Sequence, residues 1–276
     1  MDDIRLPLVV EPDQLVPVLE NHDLLVVDLC KPETYAQGHI PGAVHLDYKQ
    51  IIAAQKPVMG LVPDADHLGQ LMSQIGATPQ THIVAYDDEG GGRAARLLYT
   101  LDIMQHNHYS LLNGGIHAWA NEGHPLETTV NTRATTDYAV TLQQQPVATK
   151  DFILQRLGDP QLALIDARTP AEYSGEKKLA ARGGHIPGAT NLDWVNLIDR
   201  QHNMRLKPDS EIKQLLANIG VNAESFADNP VVVYCQTHHR SALTYIALKN
   251  LGYSDVKGYP GSWSEWGNAD DTPVET

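Results

Sequence analysis

The sequence predicts an α/β protein built from two tandem domains, each a small parallel sheet with helices on both faces. Three observations carry that expectation: an internal repeat of very long period, strands that read as continuous apolar runs, and regular alternation of those runs with helical stretches. Unbroken apolar strands suit a sheet covered on both sides, and strand–helix alternation implies parallel strands joined by right-handed crossovers.

Taken in chain order, a helix is expected near Pro12–Asn21 and a strand at Leu24–Leu29. A helix at Asp66–Ile75, a strand at His82–Asp87, a helix at Arg93–Met104 and a short strand at Tyr109–Leu112 follow. The segment LLVVDLCKPETYAQGHIPGAVHLDY (Leu24–Tyr48) then recurs as LALIDARTPAEYSGEKKLAARGGHIPGATNLDW (Leu162–Trp194). Asp28 and His39 stand 11 residues apart, Asp166 and His185 stand 19 apart, so the second copy carries eight extra residues, around EKKLAARG. Further matches pair Leu68–Thr78 with Ile212–Asn222, His82–Leu101 with Val231–Leu251, and Gly114–Trp119 with Gly261–Trp266. A period this long marks a duplicated domain rather than a solenoid. The expected boundaries are 1–125, a Thr- and Gln-rich linker at 126–148 with a short strand at Tyr138–Leu142, and 149–276.

Composition excludes several classes of function. The net charge of −14 argues against nucleic acid and anionic membranes as partners. No apolar run is long enough to span a bilayer, and the acidic start carries no signal-peptide pattern, so a cytoplasmic address is expected. Cys30 and Cys235 are too few for a disulfide framework, and zinc-ligand spacing is absent, so no metal is expected.

The stretch that carries chemistry is PVVVYCQTHHRSALTYIALKNLG (Pro230–Gly252). A buried strand, VVVY, ends in Cys235; SALTYIALKNL reads as a helix closed by Gly252. A thiol between them faces the positive end of a helix dipole and several backbone N–H groups without helical partners. Such donors stabilise a thiolate, and they also cradle an anion. A cysteine ending a buried strand is often only a small hydrophobe. The following QTHHR argues otherwise, because it places His238, His239 and Arg240 around the same loop and supplies local positive charge in an acidic chain. The first copy has Asp87 at the position of Cys235, which rules out a sulfur nucleophile there.

The two GHIPGA segments, the Asp-ended strand before each and the Cys-headed loop CQTHHRS resemble the tandem-domain rhodaneses, a sulfurtransferase family. The resemblance spans nearly the whole chain. It implies two rhodanese-like domains with only the second catalytic, and a thiosulfate sulfurtransferase passing sulfane sulfur to cyanide, a thiol or a protein acceptor through a Cys235 persulfide. No separate cofactor is then needed. Arg240 is expected to bind the anionic donor, with Gln236, Thr237, His238, His239 and Ser241 lining the substrate and Arg182, in the insertion, as a further steering charge. Arg240 is alternatively a salt bridge to the other domain. His39, His185, Asp28 and Asp166 read as structural, Cys30 as inert, and the tryptophans as core or domain-interface residues, with Trp194 a candidate border of the pocket. Three rivals stand beside this reading: a 3-mercaptopyruvate sulfurtransferase, disfavoured because CQTHHRS departs from that branch's loop; a cysteine phosphatase, disfavoured because four rather than five residues separate Cys235 from Arg240; and a non-catalytic anion-binding module.

Overall fold

The computed structural model describes residues 6–226 and 229–276. The first half runs β1 (Val9–Val10), α1 (Pro12–Leu15), β2 (Leu24–Asp28), α2 (Pro32–Gln37), β3 (Val44–His45), β4 (Ala53–Gln55), β5 (Val58–Leu61), α3 (Ala65–Gln74), β6 (His82–Tyr86), α4 (Gly92–Ile103), β7 (Tyr109–Leu112) and α5 (Gly115–Asn121). The second runs α6 (Lys150–Gln155), β8 (Ala163–Asp166), α7 (Pro170–Tyr173), β9 (Thr190–Asn191), β10 (Ile198–Asp199), β11 (Arg205–Leu206), α8 (Asp209–Asn218), α9 (Ala223–Phe226), β12 (Val231–Tyr234), α10 (Arg240–Asn250), β13 (Val256–Gly258) and α11 (Ser262–Trp266). No helix among the described residues is long and apolar enough to cross a membrane.

The helix expected at Pro12–Asn21 stops early. α1 ends at Leu15 and a single 3-10 turn, Val16–Val18, follows. Pro17 has no N–H to continue an α-helical ladder and its ring crowds the preceding turn.

The chain forms two compact units. Among the described residues, the first comprises 6–51, 63–143 and 199–206; the second comprises 52–62, 144–198, 207–226 and 229–276. In the first unit the sheet order is β1-β7-β6-β2-β3, with every pair parallel. In the second it is β13-β12-β8-β9, also all parallel. The central strands β2, β6, β8 and β12 are buried at every position, which is why they read as unbroken apolar runs.

Residues 126–143 of the expected linker pack on the first unit. No strand forms at Tyr138–Leu142. Individual anchors fix this stretch instead: the Tyr138 hydroxyl meets His106 Nδ1 at 2.7 Å, Tyr138 N donates to Ser73 Oγ at 3.0 Å, and Gln143 N donates to Ile103 O at 2.8 Å. With its backbone tied to helix and turn atoms, the segment has no neighbouring strand to pair with.

Each unit closes its terminal segment in the same way. His39 and Glu127 exchange backbone bonds of 2.9 Å, as His185 and Glu275 do at 2.8 and 3.0 Å. The indole of Trp119 donates to Pro125 O at 2.7 Å and that of Trp266 to Pro273 O at 2.7 Å. His39 stacks on Tyr35 with ring centroids 3.7 Å apart, and His185 on Tyr173 at 3.6 Å. The GHIPG histidines are therefore structural pins.

Candidate active site

The site begins with the register of the second sheet. β12 lies between β8 and β13, and Tyr234 pairs with Asp166 at the carboxyl ends of the strands. Cys235 is the next residue, where open parallel sheets bind ligands. The segment Cys235–His239 curls back to the start of α10 at Arg240, with His238 in the left-handed region at φ 53°.

Outward-facing hydrogen bonds hold that curl. Cys235 O accepts from Trp263 N and Gln236 O from Ser264 N, both at 3.0 Å, so the first turn of α11 caps the loop from outside. Ser262 Oγ accepts from Cys235 N at 3.3 Å and donates to Tyr259 O at 2.7 Å. With these carbonyls engaged outside, amide groups are left to face inward. Thr237 N–H and Ser241 N–H both bond the Cys235 sulfur, together with the Ser241 side chain and the Arg240 guanidinium.

The hairpin β4–β5 belongs to this same unit and braces the loop. Met59 N donates to Ser264 Oγ at 3.0 Å. Gly60 sits at φ 79°, and a Cβ there would lie 2.1 Å from Thr237 O. Only a residue without a side chain permits that approach.

Electrostatics single out Cys235 from Cys30. Both thiols are buried. Burial pushes the Cys235 thiol up, but the Arg240 charge and the Ser241 and Thr237 donors outweigh it and hold the thiol below its ordinary value. Around Cys30, burial and the neighbouring Asp28, Asp87 and Asp88 all act in the same direction and push the thiol far up. One sulfur is poised to ionise and the other is not.

Glu172 is the site residue that sequence reasoning missed. It is 2% exposed, and it accepts from Arg240 Nη1 through Oε2 and from Arg240 Nη2 through Oε1, both at 2.8 Å. Burial works against its charge, but Arg240 and the Thr169 cap outweigh that and bring its pKa down to about 2. Local sequence explains its placement. Thr169-Pro170-Ala171-Glu172 starts α7 with a reciprocal capping box, Thr169 Oγ1 lying 2.9 Å from Glu172 Oε2. The Thr-x-x-Glu spacing was the available signal; in the first copy Thr34 stands at this position.

Arg240 is thus paired within its own unit, and its two-pronged face is taken by Glu172 rather than left open for a sulfonate. Arg182 departs further from expectation. Its guanidinium donates to Thr272 O at 2.5 Å and Trp266 O at 2.7 Å, and bonds Ala269 O and Thr272 Oγ1. These carbonyls end α11 and the turn after it, where a cation is favoured, so Arg182 fastens the C-terminal segment instead of steering an anion. Gln236 Nε2 donates to Leu179 O at 3.1 Å, linking the loop to the insertion. His239 packs near Trp194, ring centroids 6.3 Å apart. His238 Nδ1 lies 2.8 Å from Ser241 Oγ.

The first unit repeats the cradle with a permanent occupant. Asp87 Oδ1 accepts from Glu89 N at 2.9 Å and Gly91 N at 2.8 Å, and Oδ2 from Arg93 N at 2.9 Å and Ala94 N at 3.0 Å. Glu89 and Arg93 lie two and six residues beyond Asp87, as Thr237 and Ser241 lie beyond Cys235. The Asp87 carboxyl group fills, in the first unit, the position that the Cys235 sulfur holds in the second.

Comparison with known proteins agrees with this architecture. The Rhodanese-like domain family matches twice, over residues 11–122 and 149–269. A thiosulfate sulfurtransferase of Azotobacter vinelandii is 46% identical over 276 residues, covering 100% of both chains. One from Pseudomonas aeruginosa is 45% identical, covering 98% of this chain and 97% of its own. The crystal structure of the 3-mercaptopyruvate sulfotransferase SseA from Escherichia coli superposes with a TM-score of 0.82 at 25% identity, covering 93% of this chain and 99% of that one. With two matching regions that follow its internal repeat, the chain belongs to the rhodanese-like domain family.

Proposed function

We propose that this chain is a thiosulfate sulfurtransferase whose sulfur carrier is Cys235. The observation that carries the reading is the surroundings of that sulfur: fully buried at a strand end, yet faced by the Arg240 cation, two backbone N–H groups and the Ser241 hydroxyl. The whole-chain identity to two thiosulfate sulfurtransferases supports it.

The reaction runs in two displacements. The Cys235 thiolate attacks the outer sulfur of thiosulfate, a new S–S bond forms, and sulfite leaves with the electron pair of the broken bond. A thiophilic acceptor (cyanide, a thiol or a protein thiolate) then attacks the outer sulfur, and the pair returns to Cys235. Charge sits on Cys235 before loading and on the outer sulfur after it, so the inward donors act as an oxyanion-hole analogue throughout. Because Glu172 occupies the Arg240 fork, Arg240 serves by its charge and its bond to the sulfur.

Steady-state turnover with two donors tests the assignment. Thiosulfate is expected to give the higher kcat/KM, and a strong preference for 3-mercaptopyruvate would move the chain to that branch of the family. With four residues between Cys235 and Arg240 the loop is too tight for a phosphoryl group, so no useful hydrolysis of an aryl phosphate is expected.

A further inference from the structure

A second polar chain reaches the sulfur, and it starts at a histidine. His238, Ser241 and Cys235 all have zero exposure. His238 Nδ1 stands 2.8 Å from Ser241 Oγ, and the Ser241 side chain is itself hydrogen-bonded to Cys235. Ser241 has one hydroxyl proton and two such neighbours. An ionised sulfur can only accept, so while Cys235 is a thiolate the hydroxyl proton points at it. The bond between imidazole and hydroxyl must then be supplied by an N–H on the ring.

We infer that His238 is a positioning residue that keeps its proton on Nδ1, donates it to Ser241 Oγ, and thereby commits the Ser241 hydroxyl to the sulfur of Cys235. The inference rests on Cys235 being the sulfur carrier. The loop geometry fits the role, since the left-handed φ of 53° at His238 accompanies a ring turned inward onto Ser241. Its effect falls mainly on discharge. When the acceptor attacks the outer sulfur, the S–S bond breaks and the pair moves onto Cys235, where the Ser241 hydroxyl receives the charge as it forms. The other groups facing the sulfur are Arg240, held by Glu172, and the Thr237 and Ser241 amides. These persist in every variant below, so each loss is partial.

Three measurements test this, and the first two need no sulfur donor. Nitrogen-15 spectra of histidine-labelled full-length protein, with the His238 signals assigned through His238→Asn, should show the proton on Nδ1; an unprotonated Nδ1 alongside ionised Cys235 overturns the inference. In the pH profile of iodoacetamide alkylation, Ser241→Ala and His238→Ala should each raise the thiol midpoint by about one pH unit, and each should slow discharge to cyanide roughly tenfold. The double variant should match Ser241→Ala, because His238 acts through it. His238→Asn should restore the profile: asparagine tolerates the left-handed backbone and presents an amide N–H near the Nδ1 position. Additive losses in the double variant, or an asparagine variant no better than alanine, would also overturn it. Failure of the sulfur-transfer reading would look different: the alkylation profile would stand while no sulfur was ever carried.

Discussion

Glu172 grips Arg240 through two bonds of 2.8 Å across 68 residues of sequence, and the same guanidinium bonds the Cys235 sulfur. The pair fixes a cation beside the Cys235 thiol inside a protein whose net charge is −14. With both prongs of its guanidinium taken by the carboxylate, Arg240 is not free to swing toward solvent.

Removing the cation should make the thiol harder to ionise. Arg240 is the largest of the influences that lower the Cys235 pKa, so Arg240→Ala should shift the alkylation midpoint to higher pH. It should also cut kcat/KM for thiosulfate by roughly 100-fold. Arg240→Lys should recover only part of this, because one ammonium cannot engage both Glu172 oxygens and the sulfur as a guanidinium does.

Glu172 links the site to acid stability. Its pKa is about 2 in the folded chain against an ordinary 4.5. A carboxyl depressed on folding stabilises the protein above its unfolded value, and that contribution is lost as pH falls from about 4.5 toward 2. Denaturant titrations across this window should show stability declining with acid. Glu172→Gln should flatten that part of the profile while costing roughly 2–3 kcal/mol at neutral pH.

The brace at Gly60 predicts an effect from outside the Cys235 loop. A methyl group there would press on Thr237 O, whose own amide serves the sulfur. Gly60→Ala should therefore lower kcat/KM by roughly tenfold through misplacement of the loop. Parallel far-UV circular dichroism, unchanged from the parent protein, would separate this from unfolding.

Asp87 offers the complementary case. Asp87→Ala leaves four backbone N–H groups in the first unit without their carboxylate, at a cost of roughly 2–4 kcal/mol. Denaturation should show the loss, while sulfur loading of Cys235 should persist.

The sequence exposed most of this architecture for identifiable reasons. The central strands are continuous apolar runs because both sheet faces are covered, and Cys235 stands out because the strand, loop and helix around it are contiguous. What stayed hidden depends on distant pairing. Glu172 meets Arg240 only after the chain folds, and the near-repeat of Pro, Glu and Tyr conceals that Glu33 and Glu172 occupy different steps of their helices. Nothing local announces that Met59 and Gly60 would join the second unit. Arg182 looked available to an anion because its partners are backbone carbonyls 84 to 90 residues away, and carbonyls leave no mark in a sequence.

Intact-mass and peptide mass spectrometry after incubation with thiosulfate tests the central claim most directly. The Cys235 peptide should gain the mass of one sulfur atom, lose it to cyanide, and never gain it in Cys235→Ala. A chain that stays unmodified under thiosulfate, or that carries the extra sulfur on Cys30, would contradict the account.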